Sequence, residues 1–437
     1  MQRIVILGGG TAGTIMANRL ARLNRSALRA GQMELTIVDR DDSHVYQPGL
    51  LFIPFGKYAS QDLVKPRQNY FPSAAKYVRA GVDHVDIDGR TVVLESGQHL
   101  DYDVLVIASG SHVAPEETDG MLGPGWREKV FDFYTLDGAL ALRDALAKFP
   151  GGRLVVNISE MPIKCPVAPL EFAFLADAFF KERGIRDKVD IQFVTPLDGC
   201  FTKPIATLEL SHLLTEKRIN IVVEFTTSRV DGAAGVLESW DGRQVPFDLL
   251  VTIPVHKGAD FVARSPGLGD DLNFVRTDSK TLQSLASPAI FVIGDATNVP
   301  ASKAGSVAHF EAEVLAPNIQ RFLQGMPLHA NFDGHANCFI ETGHAKALLI
   351  DFNYDVEPLP GHFPFAAGPM SLLKESRINH VGKLAFRWVY WNMLLPGHDI
   401  PFVGAQMQMR GKRQPTVARI TAGITAGIEV RRSGDIP

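Results

Sequence analysis

The sequence predicts an α/β chain made of two parallel-sheet units, followed by a region of another kind. Three observations carry this. A short apolar strand runs straight into glycines, Arg3-Ile4-Val5-Ile6-Leu7-Gly8-Gly9-Gly10-Thr11-Ala12-Gly13, and on into the helical stretch Thr14 to Leu23. Apolar strands and helix-period segments then alternate as far as Leu323. Near residue 330 the pattern changes to short pieces rich in Pro, Gly and aromatics. The expectation is two Rossmann-like dinucleotide-binding domains with a C-terminal membrane-attachment region.

In the opening motif Gly8 permits the tight turn, Gly10 lets backbone amides approach a pyrophosphate, and Gly13 lets the helix pack on the strand. Thr11 and Ala12 complete the loop. Glu34 to Asp39 reads as the second strand, with Asp39 placed for ribose hydroxyls and Arg40 beside it. Thr91–Glu95, Val104–Ala108, Arg153–Ile158 and Asp190–Thr195 read as further strands of α/β units. Helices are expected over Thr135–Phe149, Leu170–Arg183 and, more weakly, Thr207–Lys217. Ala289 to Ile293 is another buried strand, ending in Gly294-Asp295, with a helix over Gly305–Leu323. The resulting division is residues 1–119 and 285–329 for a first unit, 120–284 for a second, and 330–437 for the C-terminal region.

A net charge of −4 with scattered Lys and Arg gives no electrostatic case for nucleic acid. No basic and apolar leader precedes the glycine motif, so no cleavable signal peptide is expected. No apolar run reaches the roughly 18–20 residues that span a bilayer. Cys165, Cys200 and Cys338 are too few for a disulfide framework and lack metal-site spacing, so no metal is expected.

The glycine-rich start, the strand ending Ala108-Ser109-Gly110, and Gly294-Asp295 together resemble the three FAD-contacting elements of the disulfide reductase superfamily. The resemblance implies FAD on Gly8, Gly10, Thr11, Ala12, Gly13, Asp39, Arg40, Ala108, Ser109, Gly110, Gly294 and Asp295. The second unit lacks a Gly-x-Gly-x-x-Gly: Ser159-Glu160-Met161-Pro162-Ile163-Lys164-Cys165-Pro166 follows its first strand, disfavouring NAD(P)H. Pro162, Lys164, Cys165, Ala168, Pro169 and Glu171 are similar to a motif of the sulfide:quinone oxidoreductases and the flavocytochrome c sulfide dehydrogenases. Cys338 with Gly343 matches the family's partner cysteine. Tyr46-Gln47-Pro48, Ile253 to Gly258, and Lys303-Ala304-Gly305 match as well, which adds Gln47, Pro48, Lys303 and Gly305 to the cofactor contacts. Tyr134 stands where many relatives carry a further cysteine, so covalent FAD at that position is excluded and a two-cysteine type is expected. Cys200 has no matching position and reads as a packing thiol.

The resemblance implies oxidation of sulfide to polysulfide or sulfur through Cys165 and Cys338, with electrons passing by FAD to a quinone. Lys164 is expected to lower the neighbouring thiol pKa and Glu171 to handle protons. Lys303 or the helix start at Gly305 is expected to stabilise reduced flavin. Ser371 to Leu395 mixes Leu372, Leu373, Val381, Leu384, Trp388, Leu394 and Leu395 with Lys374, Arg377, Lys383 and Arg387, and reads as one helix lying in a membrane interface. Phe386, Tyr390 and Trp391 are candidates for stacking on a quinone. Partners are therefore sulfide, membrane quinone and a membrane surface, with a homo-oligomer left open. The alternatives are a flavocytochrome c-type subunit, a type II NADH:quinone reductase, or a persulfide-carrying redox sensor. Thr416 to Pro437 reads as an extra anchor or a tail.

Overall fold

The computed structural model describes residues 1–414; the segment from Thr416 to Pro437 lies outside them. In chain order the first unit contains β1 (Gln2–Leu7), α1 (Thr11–Leu23), β2 (Met33–Asp39) and β3 (Lys76–Arg79). An antiparallel meander follows, of β4 (Val82–Asp86), β5 (Thr91–Leu94) and β6 (His99–Asp101), and then β7 (Val104–Ile107). The second unit contains β8 (Val130–Phe131), α2 (Leu136–Lys148), β9 (Gly152–Ile158), α3 (Ala168–Glu182), β10 (Val189–Val194), α4 (Pro204–Glu216), β11 (Ile219–Val222) and β12 (Leu249–Ile253). The chain returns to the first unit with β13 (Ile290–Val292) and α5 (Gly305–Leu323). It closes with β14 (Ala336–Gly343), β15 (Lys346–Phe352), β16 (Gly361–Phe363), β17 (Met370–Leu372) and α6 (Arg377–Val389).

Two five-stranded sheets, parallel throughout, organise the molecule: β13-β7-β1-β2-β3 and β8-β12-β9-β10-β11. Their central strands, such as β7 and β12, are wholly buried, as parallel strands covered by helices must be, while the edge strands β3 and β11 are only partly so. One strand expectation is corrected. Thr91–Leu94 pairs antiparallel with β4 and β6 and belongs to no α/β unit; its alternating burial marks a half-covered meander strand.

The stretch expected as one helix from Ser371 to Leu395 is also corrected. Leu372 and Leu373 are buried at the end of β17, and the helix starts only at Arg377, where the Ser376 side chain caps the Asn379 amide. Tyr390, Trp391, Leu394 and Leu395 are core residues. No helix among the described residues is long and apolar enough to cross a membrane.

Candidate active site

Parallel pairing puts the C-terminal ends of β1, β7 and β13 side by side, and with them the three glycine-bearing turns. The approach is close. A Cβ on Gly8, whose φ is +100°, would stand 2.5 Å from the Ala108 carbonyl oxygen, and one on Gly13 would stand 1.8 Å from the Gly8 carbonyl oxygen. Gly294 sits against the Ala12 methyl, so the late turn closes on the start of α1. By contrast, nothing lies within 4 Å of an added Cβ at Gly10 or Gly110. Their amide backbones border open ground at a helix N-terminus, as a pyrophosphate requires.

The polar groups around this ground fit a dinucleotide. The Ser109 hydroxyl is buried with no hydrogen-bond partner. Burial raises the pKa of the Asp295 carboxyl, opposed by Lys303 and Lys164. Asp39 accepts from the Gly9 amide at 2.6 Å and pairs with Arg67, a residue that sequence reasoning missed. Arg40 is a correction. It points into solvent toward Glu95, 3.7 Å away, because the side chain after a strand's last inward residue turns outward. Gln47 and Pro48 open a short helical turn, Gln47–Phe52, with Gln47 exposed. Lys303 donates to the carbonyls of Asp295 and Thr297 and lies 4.2 Å from the Phe274 ring. It therefore fixes the Gly294-Asp295 turn. The Gly305 helix start adjoins Thr11.

A second cluster lies where the two units and the C-terminal hairpin meet. Beyond β9 the chain crosses to the first unit, and the Cys165 amide donates to the Lys303 carbonyl at 2.7 Å. Cys165 has φ +49°, a left-handed conformation that a side-chain-bearing residue adopts only when its surroundings enforce it. Its carbonyl accepts from the Ala168 amide at 2.9 Å and from the Tyr134 hydroxyl at 3.2 Å. The tyrosine standing in place of a third cysteine is thus part of the support of Cys165.

Cys338 arrives on β14, which lies along α3. Gly343 makes that contact possible: with φ +85°, its Cβ would stand 2.7 Å from the Ala178 methyl. Both cysteines are half-buried free thiols that interact electrostatically with each other, with Glu171 and with Lys383. Glu171, in the first turn of α3, is 1% exposed, accepts from the Glu341 amide at 2.7 Å and pairs with Lys383. Lys383 also donates to the Phe339 carbonyl at 3.1 Å.

Burial pushes the Cys165 thiol up to about 12, reinforced by Glu171 and opposed by Lys383. Burial likewise raises Cys338, with Cys165 the next contributor. Both thiols are raised, and the chief cation opposing the rise is Lys383. Burial lowers the pKa of Lys164, opposed by Asp295, Asp132 and Cys165, so the cation expected beside the thiol does interact with it. Glu171 is raised by burial against the pull of Lys383. Burial pulls Lys383 down, but Glu171, Cys165 and Glu341 together hold it above the ordinary lysine value. Lys383 sits on the helix singled out for its apolar face, so no local motif marked it.

The quinone candidates separate. Phe386 is half-buried on α6. Tyr390 and Trp391 are 1% and 5% exposed and belong to an aromatic cluster with His44, Tyr46 and Tyr70; their faces are occupied, which removes them as stacking partners. Cys200 is a buried thiol with its sulfur 3.5 Å from Ser211 Oγ, and burial raises it to about 11. Among the described residues no cluster could hold a metal ion.

The family description "Pyridine nucleotide-disulphide oxidoreductase" matches residues 2–157. The mitochondrial sulfide:quinone oxidoreductase of Mus musculus is 26% identical over 90% of this chain and 86% of its own length. That of Dictyostelium discoideum is 25% identical over the same shares. In sequence the chain is similar to the sulfide:quinone oxidoreductases along most of its length. The fold agrees: the X-ray structure of the sulfide:quinone oxidoreductase of Aquifex aeolicus superposes with a TM-score of 0.76 at 20% identity, covering 91% of this chain and 92% of that one. Within the disulfide reductase superfamily this kinship implies FAD as cofactor, and the geometry of the three turns accommodates it.

Proposed function

We propose that the chain is an FAD-dependent sulfide:quinone oxidoreductase whose reacting sulfurs are Cys165 and Cys338. The observation that carries this is the convergence of two cysteines, distant in sequence, on one buried Glu171–Lys383 pair. FAD, when bound, supplies the two-electron acceptor and the relay to quinone.

The residues do the rest. In the oxidised pair, hydrosulfide attacks one sulfur: a new S–S bond forms as the Cys165–Cys338 bond breaks, leaving a persulfide on one cysteine and a thiolate on the other. Closing these into a sulfur-bridged trisulfide releases one proton and gives two electrons to the acceptor; further hydrosulfide then attacks the central sulfur and breaks one S–S bond, and the freed cysteine thiolate re-forms the Cys165–Cys338 bond as disulfane (HSS⁻) leaves. Lys383 is the cation that steadies the thiolate, and Glu171, its pKa raised by burial, takes the proton. Lys164 and Lys303 face the Asp295 turn, where they hold the cofactor end of the site.

The outer face of α6 supports a membrane-borne acceptor. His380 and Lys383 face inward, to Glu341 and Glu171, while Arg387 stays 38% exposed and reaches Asp62 at the surface. Ile378, Val381 and Trp388 stand 52%, 63% and 63% exposed on the other side, with Lys374 and Arg377 also exposed. This face lies on a membrane surface with its long axis in the interface, and quinone approaches from there past Phe386. Of the four basic residues counted from sequence only Lys383 points inward, so basic side chains flank the apolar face.

Steady-state reduction of a soluble quinone with sulfide or NADH as donor tests the reading. Sulfide-dependent turnover, lost in Cys165→Ser and in Cys338→Ser, is expected. NADH-dependent turnover that survives both substitutions would overturn it in favour of an NADH:quinone reductase.

A further inference from the structure

Helix α6 runs on past Val389 into a wider turn, Tyr390–Leu394, and this turn lies against the phosphate-facing helix α1. The Tyr390 hydroxyl is 2.6 Å from Thr11 Oγ1 and 2.6 Å from His44 Nε2. Burial holds His44 down to about 4, so the ring is neutral at pH 7 and one nitrogen accepts. The Tyr390 hydroxyl therefore bridges the neutral His44 ring and Thr11, and in either proton order along this chain it fixes the direction of the Thr11 hydroxyl. Thr11 opens α1 beside Gly10, at the open ground assigned above to the pyrophosphate.

The contact continues along α1. The Asn18 amide donates to the Leu395 carbonyl at 3.0 Å, Arg22 donates to the carbonyls of Pro396 and Gly397, and Arg19 pairs with Asp399 at 2.8 Å. Four residues of α1 thus hold the segment directly continuous with the exposed helix.

We propose that Tyr390–Asp399 is a latch coupling occupancy of the FAD phosphate loop to the seating of α6, with Tyr390 and His44 as positioning residues acting through Thr11. The proposal rests on the reading of Gly8–Gly13 as the FAD loop. Fixing Thr11 from the cofactor side stabilises the latch, and a seated latch presents Thr11 ready-oriented, so each raises the other's stability by the same factor. Loss of the cofactor therefore loosens the apolar face at its root.

The test uses the full chain freed of FAD, with flavin titrated back while hydrogen exchange is followed over residues 390–399. In the unaltered protein FAD is expected to slow exchange in that segment. Tyr390→Phe, which leaves Thr11 and His44 without their shared partner, is expected to raise the FAD Kd about tenfold and to abolish the slowing. Arg22→Ala breaks the far end of the latch away from the loop and is expected to raise the Kd in the same direction. A merely structural role would lower the melting temperatures of the FAD-free and FAD-bound forms equally and leave the Kd unchanged. Tight FAD binding with exchange unaltered, or both variants within twofold of the unaltered Kd, would overturn the latch alone. No FAD binding by the unaltered chain would overturn the cofactor reading and the latch with it.

Discussion

Removing the Lys383 ammonium leaves Glu171 buried with its charge unmatched, and the consequence can be worked out. Breaking a buried ion pair from one side costs roughly 3–5 kcal/mol. A ceiling applies, because Glu171 can take up a proton instead. Holding a carboxyl of ordinary pKa about 4.3 neutral costs about 1.36 kcal/mol per pH unit above that value. The ceiling is therefore about 3.7 kcal/mol at pH 7 and about 1.6 kcal/mol at pH 5.5. The sign follows from linkage. In Lys383→Met the folded state binds a proton that the unfolded state does not, so stability is retained below the unfolded pKa and lost as pH rises. Urea unfolding of Lys383→Met and of the unaltered chain at pH 5.5 and 7 reads the difference. The double variant Lys383→Met/Glu171→Gln, neutral in both states, should recover most of the loss and all of its pH dependence. A loss below about 0.5 kcal/mol at pH 7, or one independent of pH, would refute the pairing as the electrostatic centre of the site.

Three further outcomes are expected. In the reduced protein Cys165, its thiol raised to about 12 by burial, should alkylate at least about a hundredfold more slowly at pH 8 than a free cysteine and accelerate with every unit of added pH; a rate plateau below pH 9, read by mass spectrometry of the labelled peptide, would contradict this. Gly343→Ala should destabilise the chain by about 1–3 kcal/mol, because φ is +85° and the methyl meets Ala178; an unchanged denaturation midpoint would refute the close packing of β14 on α3. Trp388→Glu, altering a side chain 63% exposed, should abolish co-flotation with phospholipid vesicles while leaving sulfide-dependent turnover with a soluble quinone intact. Retained flotation would place the membrane contact elsewhere.

What could be read from the sequence divides along a physical line. The glycine loop, the Gly305–Leu323 helix and the core strands of both sheets were legible because local periodicity and turn chemistry dictate them. Thr91–Leu94 was legible as a strand but not as a meander, since alternation alone does not say what pairs with it. In the site, the similarity of motifs singled out Cys165, Cys338 and Glu171, and the fold gathers them. Lys383, Arg67, Tyr134 and Tyr390 act through partners hundreds or tens of residues away, and nothing beside them in sequence announces those partners. The amphipathic pattern around Trp388 identified an outward face, but could not tell which lysines and arginines of that stretch turn inward.

The most direct test of the central claim is anaerobic mixing of the FAD-loaded protein with sulfide, followed by flavin absorbance and then by addition of a quinone. Rapid bleaching by sulfide alone, restored by quinone and absent in Cys165→Ser and Cys338→Ser proteins that still hold FAD, is the predicted result. Bleaching by NADH with indifference to sulfide would contradict the account.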